Sequence, residues 1–430
     1  MPGYEQGILT MRIKRKIGFV FNVLLALTAS CALAEWRGQV EVTGDVTHIL
    51  NPESPAEGEF ILELQELWRI GGDDEDILFG VISQLLHDDE GNIYLLDGQL
   101  SEIQVFDPDG EYLRTVGREG EGPGEFRNGI DMFWSPGGLL GVVQTWPGKI
   151  VFLTPKGDPG GVFTLPYRDG TGFQSATRGA GLDDRMILSG SAWTTVEGQQ
   201  LEFDYLKAYD TEGQELAHFH EASTETRYGG WEFKEEIFAD FQFRWAVAPD
   251  GRVAAVLSFA EYRIHVWDAD GSLDRIIERP DYRPVPRTDP EKERFQAMYD
   301  RLTAWNPNST FLVDDNHPCV GQIFFRDDGS LWVQSSRGMW RPEADRYTSY
   351  DIYDHEGRYV RQAHLKADAD AVEDGLFYVG NRAYIVTDLF SAFMASLGGD
   401  EEGSQEVDPE PVTVIACEIA SPGTEVTKTP

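Results

Sequence analysis

Short runs of alternating apolar and polar residues recur along the chain, and each run follows a tight turn rich in Asp and Gly. Spacings of about 46 to 78 residues between these turns are typical of propeller blades, in which each blade is a four-stranded antiparallel sheet. The pattern therefore predicts an all-β protein, a six-bladed β-propeller. The turns that open the six repeats contain Gly91, Gly137, Asp184, Gly251, Gly329 and Asn381.

A second turn follows in most repeats and joins the two outer strands of the predicted blade. Its pattern is Asp-x-x-Gly between two apolar runs, which is typical of a hairpin because Gly accepts a positive φ and Asp caps the turn. The second repeat has a looser version at Pro155-Lys156-Gly157. The clear examples are Asp107–Gly110, Asp210–Gly213, Asp268–Gly271 and Asp354–Gly357.

The sixth repeat lacks an outer strand, since only Val412–Ala416 follows its first hairpin. A free apolar run, Phe60–Ile70, precedes the first repeat. We expect this N-terminal strand to complete the sixth blade and close the ring. The predicted organisation is a single propeller over residues 35–419 with a flexible tail at 420–430.

Residues 82–128 carry a more specific likeness. Gly91-Asn92-Ile93-Tyr94, Ile103–Asp107 and the Gly-rich segment Gly117–Phe126 resemble an NHL repeat. Over about residues 45–419 the chain resembles the bacterial exported six-bladed propellers built from NHL-like blades. This resemblance implies a fold and not one activity.

The first 34 residues resemble a secretory signal peptide. A basic segment from Arg12 to Lys16 precedes the apolar run Ile17–Leu27, and Ala32-Leu33-Ala34 supplies a cleavage site. Met11 is the expected start, and the apolar run is short for a transmembrane helix. We expect export to the periplasm or the extracellular space. Lipidation of Cys31 is the weaker alternative, because Thr28 stands where a lipobox has Leu.

The charge balance excludes several partners. The chain has 36 Lys and Arg against 74 Asp and Glu, a formal net charge of −38, which disfavours nucleic acids and anionic membranes. Three cysteines cannot form a disulfide scaffold, and cleavage after Ala34 would leave Cys319 and Cys417. We expect a monomer.

The connections differ in length between the two faces of the predicted propeller. The turns between first and second and between third and fourth strands are short, and we call their side the turn face. The other connections form the long-loop face, where we expect function to lie. The insertion at 278–322 contains Thr288-Asp289-Pro290-Glu291, which predicts a short helix between blades four and five. The acidic segment 398–411 predicts a mobile loop. The insertions are 189–203, 220–241, 278–322, 335–346 and 388–411.

Metal and catalytic motifs are weak in this sequence. Paired acids such as Asp327-Asp328 fall on tight turns, where Asp serves turn geometry. The segment Asp73-Asp74-Glu75-Asp76 is the least implausible calcium site, and otherwise no cofactor is predicted. The histidines have no three-ligand zinc spacing, and a nucleophile elbow is absent from the sequence.

Tryptophan and arginine on the long-loop face give the clearest signal. Aromatic side chains with a few arginines suit stacking on sugars or aromatic ligands and pairing with carboxylates. The structural alternative is that these side chains attach the insertions to the propeller. The candidate ligand-binding residues are Arg127, Trp146, Trp193, Arg244, His317, Trp340 and Arg341, and Trp231 and Trp305 lie in the same class of loops.

These observations favour an exported, non-catalytic binding or interaction propeller. Its expected partner is a protein, a carbohydrate or another small molecule on the long-loop face near the central channel. The alternative is a metal-dependent hydrolase or lyase, similar to lactonases, with its site at the channel mouth. A purely structural role in an envelope assembly is the third interpretation.

Overall fold

The computed structural model describes residues 35–72, 77–165, 172–196, 199–226, 232–238, 241–304, 308–398 and 410–420. Several predictions from the sequence lie outside these residues. They concern the signal peptide at 1–34, the acidic segment Asp73–Asp76, Trp231, Trp305, most of the loop at 398–411 and the tail.

Three strands precede the first blade. β1 (Gln39–Thr43) and β2 (Val46–Leu50) form an antiparallel hairpin that the sequence analysis did not predict. β3 (Glu59–Gly71) contains the predicted strand at 60–70 and is longer by a residue at each end.

Blades one to three follow in chain order, and each is an antiparallel sheet. Blade three is extended by a short additional strand, β12, on its inner side. The strands are β4 (Ile82–His87), β5 (Ile93–Asp97), β6 (Glu102–Phe106) and β7 (Tyr112–Val116); β8 (Gly129–Trp134), β9 (Leu140–Gln144), β10 (Lys149–Leu153) and β11 (Pro159–Thr164); β12 (Phe173–Gln174), β13 (Arg178–Leu182), β14 (Arg185–Val196), β15 (Gln199–Tyr209) and β16 (Glu215–Thr226).

Blade four lies between two insertions. The elements are β17 (Glu232–Lys234), α1 (Glu235–Phe238), a 3-10 turn at Phe241–Phe243, β18 (Trp245–Val247), β19 (Val253–Ala255), β20 (Arg263–Trp267), β21 (Leu273–Glu278), α2 (Asp289–Leu302) and β22 (Thr310–Leu312).

Blades five and six complete the ring. The elements are β23 (Val320–Phe325), β24 (Leu331–Ser335), α3 (Ser336–Trp340), β25 (Thr348–Tyr353) and β26 (Tyr359–Lys366); β27 (Gly375–Val379), β28 (Arg382–Val386), α4 (Leu389–Leu397) and β29 (Thr413–Ile419). Six blades in this order confirm the predicted fold.

The long strand β3 closes the ring. Its second half pairs antiparallel with β29, from Leu64 opposite Ile419 to Gly71 opposite Thr413, and so supplies the missing outer strand of blade six. Its first half pairs in parallel with β26 of blade five. One strand therefore joins two neighbouring blades. In addition, β2 pairs in parallel with β21 and extends blade four.

The turn face has the predicted chemistry. Oδ1 of Asp107 accepts hydrogen bonds from the backbone N–H of Asp109 and Glu111, both at 2.9 Å. Asp210 and Asp354 make the same pair of contacts in blades three and five. These three Asp residues are therefore satisfied within their own turns.

The core consists of layers between neighbouring blades. The second strand of a blade lies within its sheet and between the neighbouring blades, and β5 and β9 are accordingly buried along their whole length. Tyr94 and Val105 of blade one pack with Met132 and Val142 of blade two in one such layer. Cys319 and Cys417 are buried and unpaired.

The insertions contain more secondary structure than the sequence predicted. The helix at 289 is confirmed as α2, with Thr288 and Glu291 in a capping box. The segment 189–203 was predicted as a loop, but most of it belongs to the paired strands β14 and β15. α4 was not predicted; its N-cap residue, Asp388, lies in the left-handed region, and its side chain makes no capping hydrogen bond. None of the helices in the described ranges is long and apolar enough to cross a membrane.

Candidate functional site

Three aromatic side chains meet on the long-loop face of blades two and three. Trp146 lies in the connection between β9 and β10, and its ring stacks on Phe173 with centroids 3.9 Å apart and planes at 4°. Trp193 near the end of β14 lies 5.5 Å from Phe173 and 6.0 Å from Trp146. We call Trp146, Phe173 and Trp193 the aromatic platform. Trp146 is 64% exposed, so part of the platform faces solvent.

Strand pairing within blade three fixes the positions of Phe173 and Trp193 in the platform. Phe173 of β12 and Glu202 of β15 are both register partners of Trp193, on opposite sides of β14. Tight packing at Gly148 holds the Trp146 loop against blade three, because a Cβ there would meet the carbonyl oxygen of Gln174. The platform is thus assembled by two blades.

Carboxylates lie beside the platform. Burial and the neighbouring Asp204 raise the pKa of Glu202 to about 7, while hydrogen bonds from Ser191 and Trp193 oppose the shift. Asp204 Oδ1 accepts hydrogen bonds from Ser191 Oγ at 2.6 Å and Gln242 Nε2 at 2.9 Å. The platform therefore borders on carboxylate oxygens held by a polar network.

Three other predicted site residues form a separate group under α2. The ring of His317 stacks on Trp340 with centroids 4.0 Å apart and planes at 12°. Arg341 donates hydrogen bonds to both carboxylate oxygens of Glu291, at 2.7 and 2.9 Å. Phe295 of α2 packs edge-on against Trp340. These contacts attach α2 to the propeller.

The titration of this group follows from its burial. Burial and the charge of Arg287 lower the pKa of His317 to about 4, so the imidazole is neutral at pH 7. Hydrogen bonds from Arg341 hold the pKa of Glu291 well below its usual range. The side chain of His317 has no exposed area and lies 3.4 Å from Glu291.

The two insertions that flank blade four fold together into one layer. β17 and β22 pair in parallel, and Tyr299 of α2 stacks on Phe311 of β22 with centroids 3.6 Å apart. We call β17, α1, α2 and β22 the insertion layer.

The last two predicted residues are Arg127 and Arg244, and the side chain of Gln144 links the backbone N–H of Arg127 to the carbonyl oxygen of Trp146. Arg127 is half-exposed and has Glu119 and Glu121 at 3.7 Å. Arg244 is buried and donates a hydrogen bond from Nη1 to the carbonyl oxygen of Ser258 at 3.3 Å. The predicted residues therefore do not form one site.

A cavity of about 400 Å³ occupies the central channel, where the inner strands of the blades meet. Asp131 of β8 is buried in its wall and accepts hydrogen bonds from Gln84 Nε2 at 2.7 Å and from the N–H of Gly179 at 2.8 Å. Burial raises the pKa of Asp131. Arg178 lies at the start of β13 in the same wall.

Sequence reasoning missed Phe173, Glu202 and Arg178. Phe173 precedes a repeat start and carries no motif, and its role depends on pairing with Trp193. Arg178 could have been identified as a channel residue from its position in the sequence, because it begins the innermost strand of blade three.

Metal ligands are not grouped in the part of the chain that the structure describes: no set of three or more His, Cys, Asp or Glu side chains there could hold an ion. The acidic segment at 73–76 lies outside those residues.

The comparison with protein-family models agrees with the fold. A protein-family model described as a 6-bladed beta-propeller matches residues 73–134. A search of curated proteins finds no match. The chain is similar to a gluconolactonase from Xanthomonas campestris, with 9% identity, 79% of this chain and 87% of that chain covered and a TM-score of 0.41.

Two further solved structures are similar at the same level. A putative exported protein from Bacteroides fragilis has 10% identity, with 84% of this chain and 99% of that chain covered and a TM-score of 0.40. Virginiamycin B lyase from Staphylococcus aureus has 10% identity, with coverage of 83% and 100% and a TM-score of 0.40. A propeller fold hosts unrelated activities and does not assign one of them.

Proposed function

We propose that this protein is an exported, non-catalytic binding propeller that captures a carbohydrate on its long-loop face, with the aromatic platform as the contact surface. The observation that carries the proposal is the stack of Trp146 on Phe173, which leaves Trp146 64% exposed. The stack holds the indole ring in a fixed orientation and leaves much of its apolar surface available to a ligand.

The chemistry beside the platform suits a sugar. The apolar C–H face of a pyranose ring stacks on an indole ring, and hydroxyl groups need acceptors at the rim of that ring. Glu202 and the Asp204 network lie beside Trp193 and supply carboxylate oxygens.

Glycan binding by the purified protein tests the proposal. We expect selected glycans to bind on an array of soluble oligosaccharides, and the double variant Trp146→Ala, Trp193→Ala to lose that binding while its melting temperature changes little. Tyr112→Ala removes an exposed aromatic side chain from an outer strand of blade one and serves as the matched control.

Two results would contradict the proposal. One is the absence of binding to any glycan by the wild-type protein. The other is unchanged glycan affinity in a double variant that is folded by circular dichroism. The metal-dependent alternative is tested in the same preparation, because chelation by EDTA should then lower the melting temperature.

A further inference from the structure

Arg178 is held rigidly in the wall of the central channel. Its Nη1 donates hydrogen bonds to the backbone carbonyl oxygens of Phe243 at 3.1 Å and of Trp245 at 2.7 Å. The guanidinium group lies over the ring of Trp245, 5.0 Å from its centroid. These contacts fix the plane of the guanidinium group before any ligand arrives.

The charge of Arg178 has no close counter-ion within the described ranges. None of their carboxylates comes within 4.0 Å of it, and neither Nε nor Nη2 has a hydrogen-bond partner there. Asp131 acts on it only as a more distant charge, and burial lowers the pKa of Arg178. A half-buried cation without a close counter-ion is costly, and an anion in the cavity would lower that cost.

The cavity beside Arg178 has both apolar and polar walls. Phe243, Phe324 and Phe377 contribute aromatic surface, and Thr177 and Gln322 contribute polar groups. A volume of about 400 Å³ accommodates a small organic molecule and falls within the range usual for ligand sites.

We propose that the central cavity binds a small organic monocarboxylate with an apolar body, whose carboxylate accepts two hydrogen bonds from the Nε and Nη2 edge of Arg178. That edge matches the two oxygens of a carboxylate, and the bidentate pair is charge-assisted. Asp131 in the same wall disfavours a second negative charge, so a monoanion fits better than a phosphate dianion. This site is separate from the aromatic platform and does not rest on the proposed function.

Calorimetry with benzoate, inorganic phosphate and chloride tests the proposal on the purified full chain. We expect benzoate to bind with one site per chain, and phosphate and chloride to bind at least about tenfold more weakly. Arg178→Lys keeps the charge but loses the two parallel N–H donors of the guanidinium group, and should weaken benzoate binding by about tenfold or more. Arg178→Gln should abolish it.

Arg118→Gln is the matched control, because it removes the same charge from an exposed arginine that does not line the cavity. Benzoate should bind this variant as it binds the wild type. If Arg178→Gln does not fold, the Lys variant carries the comparison.

Three outcomes overturn the proposal: no benzoate binding by the wild type, equal affinity in folded Arg178 variants, or the same loss of binding in the Arg118 variant. Equal affinity for phosphate and benzoate would likewise refute a carboxylate site.

Discussion

Arg287 and Glu235 lie 52 residues apart in the chain and form a buried, bidentate ion pair inside the insertion layer. Their side chains are 1% and 2% exposed. Glu235 also accepts hydrogen bonds from the N–H of Asp314 at 2.9 Å and from Tyr299 Oη at 3.3 Å. The ion pair thus joins the insertion before blade four to the insertion after it.

Glu235→Gln should destabilise the protein by about 3 kcal/mol or more, because among the described residues Glu235 is the one carboxylate that forms an ion pair with the buried Arg287. Urea unfolding followed by circular dichroism measures this. Glu66→Gln breaks the exposed pair with Arg69 and should cost less than about 1 kcal/mol. If both variants lost the same free energy of unfolding, the buried pair would stabilise the protein no more than the exposed pair does.

Much of the propeller could be predicted because its signals are local. The Asp-x-x-Gly turns each depend on a few neighbouring residues, and Asp107 caps its turn in the structure as expected. The absence of an outer strand in blade six led directly to β3. The capping residues Thr288 and Glu291 likewise located α2.

The grouping of the candidate site residues could not be predicted, since it depends on contacts between distant segments. Trp193 and Trp340 carry the same signal in the sequence, yet one joins a half-exposed platform and the other packs on His317. The difference arises from the pairing of Phe173 with Trp193 and from the position of α2 over Trp340.

Truncation of the N-terminus should show that β3 is needed to close the ring, whereas β1 and β2, which only extend blade four, are not. A chain that begins at Asn51 loses β1 and β2 but keeps β3, and should remain a folded monomer. A chain that begins at residue 73 loses β3 and leaves the edges of β26 and β29 unpaired, so it should aggregate. Size-exclusion chromatography and circular dichroism measure both. A folded, monomeric chain without β3 would contradict the closure argument.

Trp340→Ala and Trp146→Ala should differ in their effect on stability. Trp340 packs against both His317 and Phe295, so its loss should cost about 2 to 4 kcal/mol. Trp146 is mostly exposed, so its loss should cost less than about 1 kcal/mol. Urea unfolding of the two variants decides this, and a reversed order would mean that Trp146 serves folding and Trp340 does not.

Glu202→Gln should stabilise the protein at alkaline pH. Burial raises the pKa of Glu202 from its usual 4.5 to about 7, so between these values the folded state holds a proton that the unfolded state has released. The contribution of Glu202 to stability is therefore complete below pH 4.5 and is lost as the pH rises through 7. At pH 8 the buried carboxylate is ionised beside Asp204, and the neutral Gln variant should be more stable by about 1 to 2 kcal/mol, a value reduced for partial exposure.

Melting temperatures of the wild type and the Glu202→Gln variant, measured from pH 4 to 8, should diverge only above about pH 5. The same substitution at Glu212, an exposed turn residue, should give parallel curves. Parallel curves for Glu202→Gln would instead mean that this carboxylate is solvated, and that the rim of the aromatic platform is open to water.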